Sequence, residues 1–173
     1  MTTETRVRHV VNDGGLDEWL DERRRLGQDG RDEVWDGVYH VVPHARSNHG
    51  KLAHKLSAEL HEVARARGVN PTGEFNLGDA NDYRIPDMGW TASPVDDADL
   101  YVPSVEIVVE LESPGDETWQ KVPFYFARGV REVWVIAPHD RGVRVLTSGG
   151  HDVGLSDVLG VTLAQIRAAL GWD

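Results

Sequence analysis

No cysteine occurs anywhere in the chain. Disulfides, thiolate metal sites and a cysteine nucleophile are thereby excluded, and the absence fits a reducing compartment. No apolar run approaches the length of a membrane span. The opening residues Met1 to Arg6 lead into no signal-peptide core. A cytoplasmic location without membrane contact is therefore expected. Positive charge is scarce as well: 18 Lys and Arg stand against 29 Asp and Glu, for a formal net charge of -11. Affinity for a phosphate backbone draws on basic surface, so any contact with nucleic acid has to use local clusters. Arg23, Arg24 and Arg25, or Lys51, Lys55, Arg65 and Arg67, could supply them. There is no Walker-type phosphate loop and no GxSxG, and the acidic stretch at 96–99 lacks EF-hand spacing.

What is present describes an ordinary globular chain. With 173 residues, 40% of them hydrophobic and 27% charged, it is long enough for one domain with its own core. Leu16, Trp19 and Leu20 share a face over 15–26, which predicts a helix that Gly27 and Gly30 end. Asp36-Gly37 between two β-prone runs predicts a hairpin over 33–42, closed by Pro43. A second helix is expected over 48–67, capped by Ser47 or Asn48 and stopped by Gly68. Its apolar stripe is Leu52, Leu56, Leu60, Val63 and Ala64. Weaker strands are expected near 72–77 and 82–91, and the most strand-like stretch is 104–112. A third helix over 116–128, containing Pro123, precedes strands at 132–137 and 143–146 and a short helix near 162–170. Helices interleaved with strands give an α/β layer architecture.

The stretch 104–112 carries the first chemical signal. Val105, Ile107, Val108, Val109 and Leu111 make both faces of this strand largely apolar, as in a central strand. Yet Glu110 and Glu112 emerge together on the Val108 side near its C-terminal end, where open α/β sheets bind ligands. A lone buried carboxylate is costly, so a cation or metal is needed. Asp87, at the end of its own short run, could converge on Glu110, and two oxygen ligands facing an open position suit Mg²⁺ or Mn²⁺. On the third helix Glu117, Lys121 and Tyr125 share one face by i, i+4, i+8 spacing, and Trp119, Val122 and Phe126 lie on another, expected to pack on the sheet. Lys121 could then lean toward the carboxylates and neutralise charge developing on a phosphate. His54 and His61 share a helix face but lack further zinc ligands.

Several of these stretches together resemble one family. Glu33-Val34-Trp35-Asp36-Gly37, His49 at the start of a helix, Pro86-Asp87, Val109 to Pro114, Lys121, Tyr125 and Gly129 to Trp134 follow the order and spacing of the Uma-two family. That group consists of restriction endonuclease-like proteins of the PD-(D/E)xK nuclease superfamily. The resemblance spans roughly 30–170. It implies a restriction endonuclease-like α/β fold, a central mixed β-sheet flanked by helices, in a single nuclease-like domain with an N-terminal helical extension over 1–30. It implies a metal-dependent endonuclease that hydrolyses phosphodiester bonds of nucleic acid, DNA rather than RNA. Asp87 and Glu110 would hold Mg²⁺ or Mn²⁺ with the carbonyl of Leu111, and Lys121 would be the catalytic lysine. Glu33, His49, Glu112 and Tyr125 are accessory candidates. A homodimer is expected, in part from the exposed hairpin at 33–42. The chain departs from the superfamily pattern at Glu112, where (D/E)xK has lysine, so that Lys121 represents a migrated lysine. The alternative is a module that keeps the nuclease fold without cleaving, a reading that the acidic charge and Glu112 favour.

Overall fold

The structure is a computed structural model, which describes residues 14–42, 47–93 and 98–172. Pro43, the side chain of Ser47, and the acidic residues Asp96 and Asp97 lie outside the described residues. The chain opens with helix α1 (Gly14–Arg25) and a hairpin of β1 (Glu33–Trp35) and β2 (Val38–His40). At the turn Asp36 and Gly37 have φ of 49° and 81°, the doubly positive geometry that an Asp-Gly pair accommodates and that matches strand twist. Helices α2 (Ser47–Glu59) and α3 (His61–Ala66) follow, then β3 (Asn70–Thr72), β4 (Asn76–Asp79), β5 (Asp82–Arg84) and β6 (Met88–Thr91). After β7 (Tyr101–Val102) and β8 (Ile107–Leu111) come α4 (Thr118–Ala127), β9 (Glu132–Ala137), β10 (Gly142–Thr147) and β11 (His151–Val153). The small pair β12 (Leu155–Ser156) and β13 (Val161–Thr162) leads into α5 (Leu163–Leu170).

Two larger sheets and the small β12-β13 pair result. A six-stranded sheet has the order β11-β10-β9-β8-β6-β3, and a five-stranded sheet the order β2-β1-β5-β4-β7. Both are mixed: β8 pairs parallel with β9, and β4 parallel with β7. Strand β8 lies inside the larger sheet with every residue buried, as its apolar run requires. Its alternation divides the core in two. Ile107, Val109 and Leu111 face a cluster with Leu52, Leu56 and Leu60 of the α2 region and Ile166 of α5. Val108 faces a second cluster with Val122 and Tyr125 of α4, Val133 and Val135 of β9, and Leu77 of β4. Helix α5 is fixed at both ends, by a Thr162–Gln165 capping box and by Gly171 at φ 72°.

The departures from expectation have local causes. The helix expected over 48–67 is broken at Leu60, and Val63 is exposed. On α4 the buried residues are Thr118, Val122 and Tyr125, and Trp119 is 44% exposed. The apolar face of this helix is therefore turned from the one the sequence suggested. Tyr125 can be buried because its hydroxyl finds a carboxylate partner, described below. Arg23, named above as part of a basic cluster, is neutralised by an internal partner: its guanidinium grips Asp32, at 2.8 and 2.9 Å. Asp32 also accepts from Tyr39 and from the Val42 amide, tying α1 to the hairpin.

Candidate active site

Backbone register places the site. Strand β6 runs antiparallel to β8 with Met88 opposite Val109, so one step further sets Asp87 opposite Glu110 with both side chains on the same face. The amide of Leu111 donates to Asp87 Oδ2 at 2.8 Å, which fixes the carboxylate at the strand end. On the other side of Asp87, Nδ1 of His49 stands 3.5 Å from Oδ1. His49 Nε2 and Ser113 Oγ are hydrogen-bonded at 3.1 Å. The histidine that opens α2 thus orients Asp87 from behind.

Glu110 is buried and lies under α4. The Tyr125 hydroxyl donates to its Oε1, and Lys121 Nζ lies 3.6 Å from the same oxygen. Burial is the main influence on Glu110 and lifts its pKa from 4.5 to about 8. Lys121 and the Tyr125 hydroxyl favour the charged form; the carboxylates of Asp87 and Glu33 oppose it. For Lys121 burial alone would favour the neutral amine, but the charges of Glu110 and Glu33 outweigh it and raise the pKa above the ordinary value. The Tyr125 phenol is pushed far upward, first by burial and then by the neighbouring carboxylates, and so remains a donor.

The closest partner of Lys121 comes from the other sheet. Glu33, 1% exposed, accepts from Lys121 Nζ at 2.8 Å, from the Ile85 amide at 2.8 Å and from Trp35 Nε1 at 2.7 Å. It is no solvated edge glutamate. Its cross-strand partner is His40, a residue the sequence analysis missed. His40 stacks on Trp35 with ring centroids 4.2 Å apart, and its Nδ1 is 3.4 Å from Glu117 Oε2. The only sequence signal for His40 is its register in the Asp-Gly hairpin, opposite Glu33. The contacts thus link Glu110, Lys121, Glu33 and Tyr125 in one group and Asp87, His49 and Ser113 in another, and the charge of Asp87 is felt at Glu110. Glu112 points to the rim, where its Oε1 accepts from Trp119 Nε1 at 3.0 Å. The chemistry available is that of two carboxylates paired with one ammonium and a third, Asp87, near enough to be felt, a surplus of negative charge in a poorly solvated place. Among the described residues no three His, Asp or Glu side chains form a ready-made metal cage, and His54 and His61 lie exposed on separate helices.

Comparison with known proteins agrees with this architecture. The Uma2 family model, described as "Putative restriction endonuclease", matches residues 17–172. No curated protein matches the sequence. Among solved structures, one described as a "putative nuclease belonging to DUF820" from Anabaena variabilis is similar, with a TM-score of 0.66 and 15% sequence identity. The similarity covers 87% of this chain and 98% of that one. At that identity the likeness speaks for the fold. No helix among the described residues is long and apolar enough to cross a membrane.

Proposed function

Because this chain belongs to the Uma2 family, we propose that it is a metal-dependent endonuclease whose site is Asp87, Glu110 and Lys121. The observation that carries the reading is the charge imbalance at the strand ends. Glu33 and Glu110 both pair with the Lys121 ammonium, the Asp87 carboxylate adds a further negative charge nearby, and burial resists ionisation of Glu110. A divalent cation restores the balance, and the donors suit a hard one. One or two carboxylates, with remaining positions left to water and phosphate oxygens, is the habit of Mg²⁺, and Mn²⁺ takes similar ligands. Asp87, Glu110 and the Leu111 carbonyl would hold it. When bound, the ion polarises a phosphate oxygen and makes water a better nucleophile.

The protein groups do the rest. Lys121 carries positive charge toward the phosphorane as it forms, and Glu33 holds the ammonium at the strand ends. Tyr125 keeps Glu110 aimed by donating to Oε1. His49, braced by Ser113, keeps Asp87 aimed. Glu112 remains at the rim, and Lys121 takes the place of the lysine that the superfamily pattern puts there. DNA is the proposed substrate, a homodimer the proposed assembly, and the cytoplasm the proposed compartment.

Incubation of the purified protein in excess over single-stranded, duplex and structured DNA and RNA tests the reading. Cleavage with Mg²⁺ or Mn²⁺, lost in Asp87→Ala and Lys121→Met, is expected. Intact substrates under all conditions would refute it. A second reading, a nuclease-fold module that binds without cleaving, is favoured by the 2.8 Å pairing of Lys121 with Glu33 and by the net charge of -11. Calorimetry separates the two: the enzyme binds Mn²⁺ and loses it in Asp87→Ala, and the module binds none at millimolar concentration.

A further inference from the structure

The register across the larger sheet extends the row that starts at Asp87. Glu110 pairs with Val135 of β9, and Val135 with Arg144 of β10. Register partners share a face, so Arg144 stands on the α4 side, two strand spacings or about 10 Å from Glu110. Its guanidinium is 5.7 Å from the centre of the Trp119 ring. Trp119 is 44% exposed. Its indole Nε1 is held by Glu112, two residues beyond Glu110 on the same side of the strand. A large aromatic ring thus stands open to solvent in a fixed orientation beside the strand-end carboxylates, with a cation against it. Arg144 is itself 60% exposed, and its acidic partner among the described residues, Asp152, is loosely placed at 3.7 Å.

We propose that Trp119 and Arg144 form a stacking platform for an unpaired nucleotide, which makes single-stranded or frayed nucleic acid the preferred ligand over closed duplex. The inference rests on the nuclease reading of the adjacent site. A chain of net charge -11 gains little from counterion release along a duplex. Stacking of a base on an aromatic ring does not depend on net charge, and every base offers a π face. The ring is accessible only to a base that has left its own stack. Arg144 adds a cation–π contact and a partner for the neighbouring phosphate, and Glu112 fixes the indole so that little ordering remains for binding.

Fluorescence anisotropy with a labelled 20-mer, as single-stranded DNA, as single-stranded RNA and as blunt DNA duplex, tests this with Ca²⁺ in place of Mg²⁺. The single strand is expected to bind more tightly than the duplex, and the DNA and RNA arms identify which sugar is favoured. Trp119→Ala is expected to weaken single-strand binding about 10-fold and leave duplex binding unchanged; Trp119→Phe, which keeps a ring without the indole N–H, restores most of it. Unchanged single-strand affinity in Trp119→Ala, equal loss in both variants, or preference for duplex in the parent protein each overturns the platform. Cleavage that persists with its strand preference unaltered in Trp119→Ala overturns the platform and leaves the nuclease reading standing. Ring-dependent binding without cleavage in Mg²⁺ or Mn²⁺ does the reverse.

Discussion

Glu110→Gln in the metal-free protein should alter stability in a pH-dependent way that follows from the burial of this side chain. The folded-state pKa is raised from 4.5 to about 8. Between those values the folded chain holds a proton that the unfolded chain has released, so stability falls as pH rises across that window and levels off above it. Each factor of ten in proton affinity is worth about 1.4 kcal/mol, so the whole rise costs at most about 5 kcal/mol. Glutamine keeps the shape and its carbonyl oxygen still accepts from the Tyr125 hydroxyl, but it has no proton to lose. Urea denaturation in EDTA at pH 5, 7 and 9 reads the difference as a shift in midpoint at constant slope. Parent and variant should nearly coincide at pH 5, and the variant should be more stable by up to about 5 kcal/mol at pH 9. Added Mg²⁺ or Mn²⁺ should restore the parent at pH 9 and leave the variant unchanged. Parallel stability profiles, or a variant less stable at pH 9, would refute the account of burial and charge at this site.

Further perturbations address the supporting groups. Lys121→Met removes the one cation between Glu33 and Glu110 and should destabilise the fold by about 3–5 kcal/mol, read by urea denaturation at pH 8. His49→Ala should leave the thermal midpoint nearly unchanged yet weaken Mn²⁺ binding about 10- to 100-fold by calorimetry, because the ring orients Asp87. Gly89 in β6 lies where an added Cβ would stand 2.7 Å from the Ile107 carbonyl oxygen. Gly89→Ala should therefore cost about 1–3 kcal/mol, measured by thermal melting, and an unchanged midpoint would argue against the close β6–β8 approach.

The sequence was most informative where a single element carried the signal. Two carboxylates at the end of an apolar run pointed to the candidate site on β8, with Glu110 buried and Glu112 at its rim, and Asp36-Gly37 marked the hairpin. It was least informative where side chains are ordered by other elements. Glu33 and His40 lie in strands of three residues each, too short for alternation to reveal a buried face. Their charged partners come from elsewhere in the chain, Lys121 of α4 for Glu33 and Glu117 just before α4 for His40. Helix α4 misled for a related reason: hydrophobicity assigns tryptophan to the core and leaves tyrosine ambiguous. Here Glu110 offers Tyr125 a buried acceptor, and Glu112 offers Trp119 one only at the rim. The short strands β3, β4 and β5 acquire their conformation from pairing partners, so local propensity marked them faintly.

The Lys121 ammonium lies between acids that belong to different sheets, Glu33 from β1 and Glu110 from β8. A nascent chain cannot complete this constellation until Lys121 of α4 has met both the N-terminal hairpin and a strand some 75 residues after it. Strand breakage is hazardous chemistry, and under the proposed nuclease function such an arrangement would withhold it from partly folded forms. Loosening of the hairpin would part Glu33 from Lys121 while the larger sheet kept its pairing.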